Sequence, residues 1–299
     1  MQKKEYSVEI GGKILTAIFT DLAEQAHGSV ILKYGETIVL ATACMSKDRQ
    51  EGLGYFNLTV DYVEKFYAAG KILGSRFVRR EGKPSEEAIL ASRVIDRTLR
   101  PLFDQSIRHA VQVIVTVLSV DDNDPTILAV NAASLALAVS NILWNGPVGC
   151  VRIGKYSDAN LVVNPSQSLR LGEDLQYKFD LTVCGKDENI NMIEASAHQA
   201  TEEEIEEALK VASEEITKLE DFQKNIVKEI GKEKRIIEKE EISDESVKLF
   251  KKNILPHMEE ALFGEVGKKK IDDLHNVWNK MVKEKYEDRE DFFLEDNLF

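Results

Sequence analysis

From Gly74 to Ser85 the chain reads Gly-Ser-Arg-Phe-Val-Arg-Arg-Glu-Gly-Lys-Pro-Ser, and a helical pattern follows it to Leu99-Arg100-Pro101. Between Lys65 and Arg100, nine Lys and Arg face four acidic residues. That is a local charge of +5 in a 299-residue chain whose formal net charge is −13. A cationic island on an anionic body draws a polyanion to one place and repels it elsewhere. Phe77 stands between Arg76 and Arg79. A nucleic-acid base could stack on its ring for roughly 1–3 kcal/mol while the guanidinium groups hold phosphates, and neither contact depends on base identity. The alternative is that Phe77 anchors the loop in the core and the arginines are solvated. Lys83 belongs to the same basic loop.

The helix that follows positions three more arginines. Ser85 suits an N-cap, Glu86 and Glu87 suit the positive end of the helix dipole, and Pro101 stops the helix. Arg93, Arg97 and Arg100 recur at i, i+4 and i+7 and so share one face, while Ile89, Leu90, Val94 and Leu99 cover another. Asp96 lies three residues from Arg93 and four from Arg100, so an ion-pair ladder along the helix competes with a basic face beside the loop.

The chain as a whole excludes several chemistries. Its 43% hydrophobic and 30% charged residues describe an ordinary soluble protein with room for about two domains. No apolar run reaches membrane length, and Met1-Gln2-Lys3-Lys4-Glu5 leads into a strand pattern rather than a signal sequence. Cys44, Cys150 and Cys184 sit far apart in apolar runs, as buried thiols of a reducing compartment do. The five histidines show no metal-ligand spacing, and neither a P-loop nor a G-x-G-x-x-G fingerprint occurs. These features predict a cytoplasmic protein.

Read in order, the chain opens as a β meander over Tyr6–Ile10, Ile14–Phe19, Ser29–Lys33 and Thr37–Met45. The last of these is apolar throughout and predicts a central strand covered on both faces. Asn57–Val63 and the valine-rich Ala110–Val120 are further strands. Asp124 and Pro125 then cap an almost wholly apolar helix expected to reach Leu143, with short strands following up to Glu194. At Thr201 a capping box, Thr201-Glu202-Glu203-Glu204, begins an all-helical region. The expected class is α+β. Residues 1–200 would form one core domain of mixed sheets and packed helices, and 201–299 a small all-α domain. That second domain has a long connecting helix at 201–230, a bundle at 243–287 and an acidic tail.

Phe66-Tyr67-Ala68-Ala69-Gly70-Lys71-Ile72, the Phe77–Glu86 stretch, Val94-Ile95-Asp96-Arg97 and Arg100-Pro101-Leu102-Phe103 together resemble the first core domain of the bacterial polynucleotide phosphorylase family. Tyr34-Gly35-Glu36-Thr37 and Ser119-Val120-Asp121 are similar as well. The resemblance covers about residues 5 to 200. The rest resembles the family's helical linker only in pattern. It implies an RNase PH fold and three chains around a channel. It also implies 3′-to-5′ degradation of RNA by phosphate, with polymerisation of nucleoside diphosphates as the reverse. It places the chemistry, with its Mg2+, in a second core domain. For this segment it implies an RNA-guiding role in which Phe77, Arg79 and Arg80 lie on a loop at the channel constriction. Lys83 is close behind, and Arg93, Arg97 and Arg100 line or brace the passage. Val78 departs from the family's Phe-Phe-Arg-Arg and removes one stacking surface.

No catalytic residue is expected within the segment. Competent domains of this fold bind phosphate where a Gly/Ser-rich turn meets a helix N-terminus. Here the turn is Asp121-Asp122-Asn123-Asp124-Pro125. Asp124 would take the free amides itself, Pro125 has none, and Asp121 and Asp122 repel an anion. The family's pair of magnesium aspartates corresponds to Asp174 and Asp180, but Thr182 stands where a lysine is needed. A surface turn and a strand-end aspartate compete with a weak metal site there, and no metal ligand is assigned. The expected partners are single-stranded RNA and, for the full enzyme, phosphate and nucleoside diphosphates. The alternative is a non-catalytic scaffold subunit of an exosome-like ring.

Overall fold

The computed structural model describes residues 3–50, 55–72, 74, 82–156, 160–171, 177–237, 244–264 and 267–285. Phe77, Arg79, Arg80, Asp174 and the 286–299 tail lie outside the described residues. Two compact units account for the chain. One comprises 1–46, 58–104 and 110–236, and the other 47–57, 105–109 and 237–299.

The first unit is built on two sheets. Strands β1 (Lys4–Ile10), β2 (Lys13–Phe19), β3 (Gly28–Tyr34) and β4 (Thr37–Met45) form the antiparallel meander that alternation and turns predict. Gly11, Gly12 and Gly35 carry the positive φ angles of its turns, +56°, +76° and +63°. Strand β6 (Val111–Ser119) adds antiparallel to β4. β5 (Leu58–Val63) pairs parallel to β6 at the sheet edge, and the connection between them carries helix α1 (Glu86–Leu99). On β4 the residues facing one side, Thr37, Val39, Ala41, Ala43 and Met45, are buried, while those between them are half-buried. The expected two-sided burial is therefore realised fully on one face only. The second sheet orders β10 (Asn189–Ala197), β9 (Tyr177–Lys186), β7 (Gly149–Tyr156) and β8 (Val162–Val163), all antiparallel.

Helix α2 (Pro125–Val139) is buried from Ile127 to Val139 and packs on β3 and β4 of one sheet and β7 of the other. A helix that is apolar all round needs such an environment. Its polar side chains join it to the second sheet. Asn131 accepts from the Cys150 N–H at 3.0 Å and donates to the Cys150 carbonyl at 2.8 Å, as a neighbouring strand would. Ser134 donates to Gln223 at 2.7 Å and accepts from the Val148 N–H at 2.9 Å. The helix ends at Val139, four residues short of the expected Leu143. Its last carbonyls are taken by the Lys234 ammonium, at 3.0 Å from Leu137, 3.0 Å from Ala138 and 2.8 Å from Ser140.

Helix α4 (Glu202–Ile230) begins with the capping box in full. The Glu204 N–H donates to the Thr201 hydroxyl, and the Thr201 N–H donates to the Glu204 carboxylate. The face bearing Ala208, Ala212, Ile216, Leu219 and Ile226 packs on β7 and β9. The composition changes at residue 201, but the compact unit runs on to Ile236, because α4 buries this face against the second sheet. Class and order are those of an α+β core followed by helices.

The second unit holds α5 (Asp244–Asn253), α6 (Leu255–Phe263) and α7 (Gly267–Lys285). Pro256 stands in the first turn of α6, where a missing N–H costs nothing, and so separates it from α5. Phe250, Ile254, Trp278 and Val282 form its core, with the Phe250 and Trp278 rings edge-on at 5.2 Å.

Candidate nucleic-acid interface

Helix α1 starts where expected. The Ser85 hydroxyl accepts the Ala88 N–H at 3.0 Å and donates to the Glu64 carboxylate at 2.8 Å. Its buried stripe is Ala88, Ala91, Val94, Ile95, Thr98 and Leu99. Ile89 and Leu90, expected on the covered face, are 49% and 59% exposed. Small alanines at 88 and 91 face the core, and the bulkier neighbours turn outward.

Arg93 and Arg97 of α1 and Arg100 just past its end have different surroundings. Arg100 is committed internally. It makes a two-pronged contact to Asp96 at 2.6 and 2.8 Å and donates to the Leu58 carbonyl of β5 at 3.1 Å. The Asp96 hydrogen bonds raise its pKa above the ordinary value, although burial opposes them. Arg97 reaches Glu194 of β10 at 3.0 Å, with both side chains largely exposed. Arg93 is exposed and makes no ion pair or hydrogen bond among the described residues. Half of the predicted ladder, Asp96 to Arg100, is thus formed. Lys83 is exposed just before α1.

The acidic turn at the start of α2 is held by partners that its sequence does not announce. Asp124 caps the helix by accepting the Thr126 N–H at 2.8 Å. Its other oxygen accepts from Arg152 of β7 at 3.1 Å and from Arg170 of α3 (Gln167–Leu171) at 3.0 Å. Both arginines also reach Asp180 of β9, Arg170 at 2.8 Å and Arg152 at 3.4 Å. Two carboxylates and two guanidinium groups thus form a closed, electrically neutral cluster whose side chains are 11–21% exposed. Burial raises the Asp180 pKa, and its contacts with Arg170 pull against that.

The neighbouring aspartates are equally occupied. Asp121 accepts from the Thr37 hydroxyl, from the Glu36 N–H at 2.8 Å, and from the Asn123 N–H and side-chain amide at 2.8 Å. Burial alone would raise its pKa. The hydrogen bonds outweigh burial and bring it down to about 2. Asp122 accepts from the Ser168 N–H at 2.7 Å and hydroxyl at 2.6 Å, which lowers its pKa and caps the short α3. Both guanidinium groups reach Asp180 through the same oxygen, Oδ2. Among the described residues no group of three or more His, Cys, Asp or Glu is arranged to hold a metal.

Arg152 and Arg170 are the residues that sequence reasoning missed. Arg152 had one signal, a charge within the apolar run Gly149-Cys150-Val151-Arg152-Ile153. Arg170 had none, since α3 is only five residues long. A cleft of about 410 Å³ opens between this cluster and α1, with Glu64, Glu87, Leu90, Thr182 and Glu194 among its lining.

Two models of the 3′ exoribonuclease family match the chain in sequence order, domain 1 over residues 16–142 and domain 2 over residues 146–215. The chain belongs to the 3′ exoribonuclease family. The first model runs from within β2 through β3 to β6, α1 and α2, leaving β1 outside it, and the second spans the other sheet and the first half of α4. Family relatives include the polyribonucleotide nucleotidyltransferase of Caldicellulosiruptor saccharolyticus, 45% identical over 246 residues, or 82% of this chain and 34% of the relative. That of Halothermothrix orenii is 45% identical over 260 residues, covering 87% and 36%. That of Thermomicrobium roseum is 47% identical over 232 residues, covering 77% and 29%. The chain therefore spans about a third of the length of these relatives, matching their RNase PH-like N-terminal portion. Rice Rrp46 shares the fold, with a TM-score of 0.58 at 16% identity over 71% of this chain and 94% of that one. No described helix is long and apolar enough to cross a membrane.

Proposed function

We propose that this chain is the RNA-guiding, ring-forming portion of a phosphate-dependent 3′-to-5′ exoribonuclease and holds no phosphorolytic centre of its own. One observation carries the second half of this reading. At the start of α2, where a competent domain of this fold would offer free amides and cations to phosphate, Asp124 and Asp180 already neutralise Arg152 and Arg170. Pro125 supplies no N–H. The reading as part of an enzyme rests on nucleotidyltransferase relatives at 45% identity, which do not favour a scaffold subunit of an exosome-like ring. Phosphorolysis, its magnesium and its nucleoside diphosphates belong in this account to the remaining two thirds of the relatives' length. Assembly as a homotrimer and a cytoplasmic role in mRNA degradation belong to the same reading.

The guiding role falls to the cationic window. Phe77, Arg79 and Arg80 would meet the strand, with Lys83 and the exposed Arg93 beside them. Arg97 would contribute if it exchanges Glu194 for phosphate, and Arg100 serves as a brace. Binding of a labelled single-stranded oligoadenylate, titrated across salt, tests this. Arg79→Ala with Arg80→Ala should weaken binding of all sequences alike and reduce the slope of log K against log salt by about 1.4, at roughly 0.7 per phosphate. Unchanged affinity and slope in the double variant would remove the loop from the interface.

A further inference from the structure

A second cleft, of about 560 Å³, opens between the 3₁₀ turn Phe66–Ala69 and the start of α1. Its floor is apolar, with Val63 at the end of β5 and Val120 just beyond β6 half-buried over the buried Val117 and Ala88. One wall is fixed by backbone bonds. The Val120 N–H donates to the Ala68 carbonyl at 3.0 Å, and the Lys71 N–H donates to the Phe66 carbonyl at 3.0 Å. The rim carries Lys65, Lys71 and Lys83. Lys71 and Lys83 are exposed and engage no carboxylate among the described residues. Among the described residues the one acid at the rim is Glu64, which accepts from the Ser85 hydroxyl at 2.8 Å. The volume lies within the roughly 300–1,000 Å³ of small-molecule sites. An apolar slot under a ring of cations is complementary to a flat base flanked by phosphates, and to little else that a cell offers as a polymer. The cleft also adjoins the basic loop at both ends, since Lys71 precedes it and Gly82, Lys83 and Pro84 close it.

We infer that this cleft seats one nucleotide of single-stranded RNA, its base against the Val63–Val117–Val120 floor and its flanking phosphates at Lys71 and Lys83. The inference rests on the RNA-guiding reading above and adds to it a seat at the C-terminal foot of the loop, beyond Phe77, Arg79 and Arg80. Two surface variants separate its parts. Ala69 is exposed at the cleft edge, so Ala69→Trp fills the slot from outside the core. It should weaken binding of a labelled dodecaadenylate about tenfold with the salt slope unchanged. Lys71→Ala with Lys83→Ala should reduce the slope by about 1.4. Parent-like affinity and slope in both variants would overturn the inference. The loop reading would still stand if Arg79→Ala with Arg80→Ala weakened binding in the same assay. If the parent chain bound no RNA at low salt, both would fall together.

Discussion

Asp124→Asn isolates the charge that closes the corner of the first unit. Asparagine is as good an N-cap as aspartate, so the bond to the Thr126 N–H survives and only the carboxylate is lost. Arg152 and Arg170 then lose contacts of 3.1 and 3.0 Å, and Arg152 keeps only its 3.4 Å approach to Asp180. Removing one member of a buried pair costs about 3–5 kcal/mol. Because Asp180 still serves both arginines, a loss at or below that lower limit, about 2–3 kcal/mol, is expected. Asp124→Ala should cost about 1 kcal/mol more through the missing cap. The two tryptophans make this measurable, since Trp144 lies in the first unit and Trp278 in the second. In a Trp278→Phe background, urea unfolding followed by Trp144 fluorescence reports on the first unit. A loss below about 0.5 kcal/mol for Asp124→Asn, the value of an exposed pair, would refute the idea that this cluster is a closed and costly structure.

Two further outcomes follow from the same region. Asp121 has a folded pKa of about 2, below its unfolded value. Its contribution is therefore present above pH 4 and lost as the pH falls through about 2. Asp121→Asn should flatten the acid limb of stability between those limits, read as urea midpoints at pH 7, 4 and 3. Lys234→Met removes three hydrogen bonds from the end of α2 and leaves its carbonyls without the ammonium. A loss of about 2–3 kcal/mol is expected at neutral pH by the same fluorescence assay. A loss under 0.5 kcal/mol would mean that the helix end is satisfied by other groups.

Features set by neighbours in sequence were legible in advance, and those set by partners far along the chain were not. Alternation and the turns at Gly11-Gly12 and Gly35 mark the meander, because a strand's period and a turn's φ are local properties. The caps at Ser85, Asp124 and Thr201 were readable for the same reason. The end of α2 was not, since its carbonyls are taken by Lys234, about a hundred residues on. Composition likewise marks where α4 begins but not that one of its faces is buried on β7 and β9. At the candidate site, the acidic turn was visible as a poor phosphate seat. The local reading of Asp121 and Asp122 as free repelling charges missed their partners Thr37, Asn123 and Ser168, and it missed the arginines that neutralise Asp124. The family resemblance rests on long ordered blocks around Phe66–Phe103, which is why it survives substitutions such as Val78.

The most direct test of the account is phosphorolysis by this chain alone. Purified residues 1–299 would be incubated with poly(A), inorganic phosphate and magnesium, and the release of adenosine diphosphate followed over time. The account predicts release no greater than in a protein-free blank, from a chain that nevertheless binds the same RNA at low salt. Phosphate-dependent release of the diphosphate above the blank would contradict it.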